Sequence, residues 1–324
     1  MTATSTPAIE IRNVTKRYEK HVAVRDLSLV VPRGSVYGLL GPNGAGKTST
    51  IRMILNIIAP DEGTINIFGA PSAGTNVGDR IGYLPEERGL YRKMTVRRVL
   101  RFLAELKGVR RKEADRRIDE WLDRLGLRDE AKDWGAARVE ALSRGMQQKV
   151  QFIGALVHEP ELVILDEPFS GLDPINAQAL KDTVVELKRQ GRTVIFSTHL
   201  MDNAERMCDA VCIIAGGEKV LDGALADVKG NGASHHVAIA LDGGSPGAVA
   251  ELLGASPHVA HVDDQNRFFE VELQPGADPQ ALLHALVGAG VRLQRFELMQ
   301  PSLHQIFLRQ VGATGVEPGM TGQG

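Results

Sequence analysis

The chain has 324 residues, of which 43% are hydrophobic and 24% charged, and its formal net charge is −2. This composition is typical of a globular protein, and the balanced charge excludes a nucleic-acid binder that acts through bulk positive charge. No apolar run approaches the ~20 residues that a membrane-spanning helix needs, so no transmembrane segment is predicted. The two cysteines, Cys208 and Cys212, lack zinc-site spacing and are predicted to be reduced thiols of the core.

The first elements predicted along the chain are strands. Residues 1–8 have neither the basic nor the apolar region of a signal peptide and are predicted to be a disordered lead. Alternating apolar residues at 9–14 and 27–31 then predict half-buried strands, and the apolar segment 36–40 predicts another.

A glycine-rich run follows this last strand and precedes apolar residues at helical spacing. It consists of Gly41, Pro42, Asn43, Gly44, Ala45, Gly46, Lys47, Thr48 and Ser49. Strand, glycine loop and helix form the context of a P-loop, whose backbone N–H groups surround a phosphate. In such a loop Lys47 reaches the β- and γ-phosphates, and the Thr48 hydroxyl ligates Mg²⁺. The chain is therefore predicted to bind a nucleoside triphosphate.

The middle of the chain is predicted to be helical. Apolar residues recur at helical spacing in the stretches 96–106, 114–125 and 146–156, which predict an inserted helical subdomain at about 85–160. Basic residues cluster at 88–112, and we interpret them as a solvated helical face.

Two acidic residues follow the apolar run 162–165, which is typical of a parallel strand covered on both faces. Ligands bind at the carboxyl ends of such strands, so Asp166 is predicted to hold Mg²⁺ through water. Glu167 is predicted to orient the attacking water and accept its proton. His199 follows the next such strand, 193–196, and is predicted to bond the γ-phosphate; taken alone, it also fits an ordinary surface histidine.

Ser143 opens the third predicted helix, and a turn at 170–173 follows the two acids. A serine at this place is a good N-cap, which is one interpretation. The other is that this helix start presents its free N–H groups to a phosphate.

A segment without periodicity, predicted to be a linker at 230–234, separates two domains at 9–229 and 235–312. In the second domain the order is strand, helix, strand, strand, helix, strand, which predicts a small ferredoxin-like α+β domain. It carries no constellation of catalytic residues. Residues 313–324 are predicted to be a disordered tail.

Together these motifs closely resemble the ATP-binding subunit of an ABC transporter, from about residue 9 to residue 229. Seven motifs stand in the family's order: an aromatic residue (Tyr18), the P-loop (41–48), a Q-loop segment (83–87), a signature (142–147), the second Walker strand (162–167), a D-loop (170–173) and a switch histidine (His199).

The resemblance implies an α/β fold with a P-loop NTPase core and a mixed sheet. It implies a head-to-tail dimer that sandwiches two ATP molecules, in which the signature of one subunit caps the γ-phosphate held by the other. Tyr18, Ser143, Gly145 and Asp173 then join the P-loop as nucleotide-binding residues. The catalytic residues are Glu167, His199 and Lys47, as identified above.

The segment 83–91, the signature and the C-terminal domain are similar to the branch that pairs with ABC-2 type export permeases. This implies an ATPase on the cytoplasmic face of the cell membrane. It acts as a homodimer, or as a heterodimer with a related subunit, and drives export through separate permease subunits. No nucleic acid is expected as a partner.

The motifs depart from the family's pattern at three positions. Glu86 stands where a glutamine is expected, and it is predicted to ligate Mg²⁺ while adding negative charge near the phosphates. Arg144 replaces the usual glycine of the signature, and Met146 stands where many members have glutamine. None of these changes removes a group essential for hydrolysis.

The sequence disfavours two other classes of protein. A soluble ABC-type ATPase acting on DNA or ribosomes usually has two cassettes, long coiled coils or zinc modules, whereas this chain has one P-loop and none of these. A sensor that binds ATP without hydrolysing it is disfavoured by the presence of both Glu167 and His199.

Overall fold

A computed structural model describes residues 6–19, 21–73, 77–87, 89–230, 236–243, 246–299 and 301–314. Most of the predicted lead, linker and tail therefore lies outside the described residues. Packing divides the chain into two units, one formed by Met1–Leu225 with Phe307–Gly324 and the other by Ala226–Ile306. The domain bounds proposed from the sequence differ from these by several residues and stay a prediction.

The strands of the first unit form two sheets. They are β1 (Ile9–Tyr18), β2 (His21–Val31), β3 (Val36–Leu40), β4 (Glu62–Ile67), β5 (Ala70–Pro71), β6 (Ile81–Leu84), β7 (Leu162–Asp166), β8 (Thr193–Thr198), β9 (Ala210–Ala215) and β10 (Glu218–Ala224). One sheet has the order β10-β9-β3-β8-β7-β6, and the other has the order β2-β1-β4-β5. In the first sheet the pairs from β9 to β6 are parallel, while β10 is antiparallel to β9. The prediction of a mixed sheet is thus confirmed.

The helices of the first unit cover this sheet or lie between its strands. They are α1 (Lys47–Ile54), α2 (Val96–Leu106), α3 (Arg111–Arg124), α4 (Arg144–Leu156), α5 (Pro174–Arg189) and α6 (Met201–Met207). The short α7 (Leu225–Val228) begins at the last residue of this unit before the chain enters the second. Helices α2 to α4 lie between β6 and β7 in the chain, as the inserted helical stretch predicts.

The buried residues explain the placement of these elements. All five residues of β3 and of β7 are buried. One set of their side chains packs in a core with α1 and with the strands of the second sheet, while α5 and α6 contact β3 and β8. The last apolar residue of α2, Leu106, differs from the buried residues of that helix, because it is 63% exposed and lines an open groove. Cys208 and Cys212 are buried free thiols, and burial raises the pKa of each.

The second unit contains β11 (His236–Leu241), α8 (Pro246–Gly254), β12 (Val259–Asp264), β13 (Phe269–Leu273), α9 (Pro279–Gly288) and β14 (Leu293–Met299). The chain then ends its described part in α10 (Leu303–Thr314). The sheet order is β12-β13-β11-β14, and every pair is antiparallel. This is the order of a split β-α-β sandwich, so the predicted ferredoxin-like fold is confirmed.

Among the described residues, no helix combines the length and the apolar character that crossing a membrane requires.

Candidate nucleotide-binding site

The P-loop forms a tight turn between β3 and α1. Gly46 precedes the first residue of α1 and has φ +105°, and a Cβ on it would lie 2.3 Å from the Ala23 backbone oxygen. Gly41 is equally restricted, since its Cβ would lie 2.1 Å from the Ile214 oxygen. These glycines are therefore required by the packing of the loop against neighbouring backbone.

We expect Gly46→Ala to lower the free energy of unfolding by at least about 2 kcal/mol, because it adds a backbone clash to the cost of a positive φ. Gly44→Ala is the matched control: its φ is +79°, but nothing lies within 4 Å of the added Cβ. It should cost only about 1 kcal/mol, the strain of the left-handed conformation alone. Denaturant unfolding of both variants measures the difference, and equal losses would contradict the steric argument.

Lys47 is buried at the start of α1. Its Nζ donates to the backbone oxygens of Gly41 (2.8 Å) and Pro42 (3.1 Å) and lies 3.6 Å from Glu167 Oε1. Burial lowers the pKa of Lys47, while the carboxylates of Glu167 and Asp166 act in the opposite direction. The lysine is thus held between the phosphate-binding loop and the acidic residues.

Asp166 ends β7 and is 1% exposed. Its Oδ1 accepts from the hydroxyls of Ser197 (2.5 Å) and Thr48 (3.3 Å). Its other oxygen, Oδ2, is buried without a hydrogen-bond partner among the described residues. A buried carboxylate oxygen left unpaired beside a hydroxyl is the kind of hard oxygen donor set that fits Mg²⁺.

Glu167 follows with a left-handed backbone, at φ +47°. Its backbone N–H donates to Ser197 Oγ (3.0 Å), and its Oε1 accepts from His199 Nδ1 (3.0 Å). A non-glycine residue in this conformation costs free energy and persists only where its surroundings hold it, as is common at functional sites. The backbone turn thus directs the Glu167 side chain toward Lys47 and His199.

A cavity of about 380 Å³ lies above the P-loop. Its lining comprises Tyr18, His21, Ala23, Asn43, Gly44, Ala45, Gly46, Lys47, Thr48, Ser49, Glu86 and Glu167. The structure therefore brings the predicted aromatic residue, the loop and two of the acids around one space. The Tyr18 ring is 43% exposed and is accessible for stacking.

The other predicted nucleotide-binding residues lie together at a second place. Ser143 caps α4 by accepting from the Met146 N–H (3.3 Å), and Asp173 caps α5 by accepting from the Asn176 N–H (3.0 Å). A Cβ on Gly145 would lie 2.9 Å from Asn176 Nδ2, so the two helix starts are in contact. None of the residues 143, 145 and 173 lines the cavity above the P-loop.

Ser197, which connects Asp166 to the Glu167 backbone, is a site residue that the sequence motifs did not identify. β7 and β8 are parallel neighbours, and their register pairs Asp166 with Ser197. The sequence alone does not show which strands are neighbours, so it does not place this hydroxyl beside the acid.

The fold and the site together define a class of protein. A glycine loop between a buried parallel strand and a helix, with an acidic pair at the end of another parallel strand of the same sheet, is the arrangement of a P-loop NTPase.

Comparison with known proteins gives the family. Residues 24–170 match the family model described as "ABC transporter", and residues 223–311 match the C-terminal domain of the DrrA1-3-like ATP-binding proteins. The uncharacterised ABC transporter ATP-binding protein YhaQ of Bacillus subtilis (strain 168) is 41% identical, covering 94% of this chain and 99% of that protein. The Nod factor export ATP-binding protein I of Rhizobium meliloti (strain 1021) is 35% identical, covering 96% of this chain and 90% of that protein.

A solved structure, that of an ATP-binding subunit of an ABC transporter, agrees with a TM-score of 0.63 and 34% identity. The match covers 68% of this chain and 92% of the solved one. The chain belongs to the ATP-binding subunits of ABC transporters.

Proposed function

We propose that this chain is the ATP-hydrolysing subunit of an exporter, acting on the cytoplasmic face of the membrane with separate permease subunits. The observation that carries the proposal is the division of the nucleotide site into two parts within one chain. The 35% identity to a protein named for Nod factor export supports export as the direction of transport. The cargo of that relative is not assigned to this chain.

The phosphate-binding part of the site is the P-loop. Backbone N–H groups of the loop and the start of α1 favour an anion, and Lys47 supplies a positive charge beside it. Thr48, Asp166 and Glu86 are the residues that would hold Mg²⁺, whose positive charge stabilises the phosphate oxygens when it is bound. The unpaired Asp166 Oδ2 supports this assignment.

Glu167 and His199 are the hydrolytic residues, and they belong to the same part of the site as the P-loop. A carboxylate within reach of the attacking water accepts its proton, and the hydrogen bond from His199 holds that carboxylate in one orientation. Neither residue needs to form a covalent bond with the nucleotide.

The second part of the site requires a partner subunit. Ser143, Gly145 and Asp173 lie together and away from the P-loop cavity, so they would contact the nucleotide held by another copy or by a related subunit. A symmetric pair places the same two surfaces in contact twice and so forms two complete sites.

A groove of about 580 Å³ is the surface proposed to receive a permease helix. Leu55 and Ile57 line it from the end of α1, Leu103 and Leu106 from α2, and Ala155 from α4. An amphipathic helix docks its apolar face into such a groove. The exposed position of Leu106 is explained if this groove is covered in the transporter.

The proposal is tested by purifying tagged Glu167→Gln protein from detergent-solubilised native membranes with Mg-ATP and identifying its partners by mass spectrometry. A stoichiometric polytopic membrane protein is the expected result. Recovery in the soluble fraction bound to ribosomes or DNA would contradict the transport function and leave the ATPase assignment in place.

We expect Glu86→Gln to change the affinity for Mg-ATP by less than about tenfold (~1.4 kcal/mol), because Lys47, Thr48 and Asp166 remain. Titration with a fluorescent ATP analogue at fixed Mg²⁺ measures this. Glu87→Gln is the matched control, since Glu87 is the exposed neighbour that does not line the cavity. A larger loss in Glu86→Gln alone would make Glu86 a principal ligand of the metal.

A further inference from the structure

Helix α4 carries two buried glutamines that bond the loops of the nucleotide site. Gln151 Nε2 donates to the backbone oxygens of Pro85 (3.3 Å) and Glu87 (3.0 Å). Gln148 Nε2, one turn earlier, donates to the backbone oxygen of Pro168 (3.3 Å), the residue after Glu167. The same helix begins at the signature residues, so it contacts both parts of the site.

The two carbonyls bonded by Gln151 flank Glu86. The amide NH₂ group of Gln151 donates to both at once, which neither a carboxylate nor an apolar side chain can do. Gln151 is 7% exposed, and its Oε1 has no hydrogen-bond partner in the part of the chain that the structure describes. Burying an amide whose oxygen has no hydrogen-bond partner lowers the stability of the fold. The favourable contribution of Gln151 therefore comes from the two hydrogen bonds that its NH₂ group donates.

We propose that Gln151 is a positioning residue for Glu86, through which α4 connects the signature end of the helix to the acid beside the P-loop. The proposal rests on the function proposed above, in which Glu86 lies near the metal and the phosphates. Displacing a reacting group by about an ångström is enough to slow a reaction strongly. Because Gln151 bonds the loop that carries Glu86, we expect its loss to lower turnover more than it lowers the affinity for nucleotide.

The test is a double-mutant cycle on the full chain, with steady-state ATP hydrolysis as the readout. Gln151→Met keeps the size of the side chain and removes both donors. We expect it to lower kcat by about tenfold while KM for Mg-ATP changes by less than about threefold. In a Glu86→Ala background, where no acid remains to be positioned, the same change should lower kcat by less than about twofold.

Arg192→Met is the matched control. Arg192 Nη1 also donates to two backbone oxygens of one loop, those of Glu159 (2.8 Å) and Pro160 (2.9 Å). This loop precedes β7 and lies at the opposite end of that strand from the acids. It should lower thermal stability as Gln151→Met does and leave kcat within about twofold of wild type.

A second readout does not depend on turnover. Hydrogen exchange of the peptide from Tyr83 to Tyr91 should be faster in Gln151→Met and unchanged in Arg192→Met. Wild-type exchange in Gln151→Met, or an equal loss of kcat with and without Glu86, would overturn the proposal. A Glu86→Ala variant with wild-type kcat would also overturn it, while the ATPase assignment is judged separately by Glu167→Gln.

Discussion

We expect Glu167→Gln to lose nearly all steady-state ATP hydrolysis and to leave a dimer that retains ATP. The amide has the size of the carboxylate but does not accept a proton from water, so turnover should fall by about 10²–10⁴-fold. Lys47, Thr48 and Asp166 stay in place, so binding should persist. Phosphate release measures turnover, and size-exclusion chromatography with Mg-ATP measures the dimer.

The control for this variant is Glu161→Gln. Glu161 precedes the same strand at its other end and pairs with Arg80 on the surface (2.7 Å), far along β7 from the nucleotide cavity. Its turnover should equal that of wild type. If Glu167→Gln hydrolyses ATP at the wild-type rate, then Glu167 is not the general base and His199 loses the role proposed for it.

The parts of the site that are local in sequence could be predicted. The P-loop consists of consecutive residues whose strand, turn and helix follow from apolar pattern and glycine content. The same holds for Asp166 and Glu167: two acids after a buried run are a weak signal alone, but they become a strong one in a chain that also has a P-loop. The helix cap at Ser143 is also local, and the structure has it.

The parts of the site that depend on strand register or on backbone conformation could not be predicted from the sequence. The bond between Ser197 and Asp166 requires knowing which strands are neighbours and how they align. The left-handed φ of Glu167 is imposed by its surroundings, since a glutamate has no preference for it. Likewise, the sequence shows Gln151 only as one polar residue of a predicted helix. Its hydrogen bonds to the loop that carries Glu86 are seen only in the structure.

The second large expected effect is on ATP hydrolysis by two variants, each altered in a different part of the site. Lys47→Ala removes the cation from the P-loop, and Ser143→Asp keeps an N-cap on α4 while placing a negative charge against the partner's phosphate. Each variant alone should be about a hundredfold less active than wild type. If the subunits pair head-to-tail, a dimer with one of each has one site with both defects and one intact site.

Mixing the two inactive variants in equal amounts should therefore restore activity. Random pairing makes half of the dimers mixed, and each mixed dimer has one intact site of two, so roughly a quarter of the wild-type rate is expected. Mixing Lys47→Ala with Glu167→Gln is the control. These two residues lie 3.6 Å apart in one chain, so every site in that mixture retains a defect and no recovery is expected. Recovery in the first mixture alone requires that Ser143 acts on the nucleotide of the partner; without recovery, the proposed dimer is wrong.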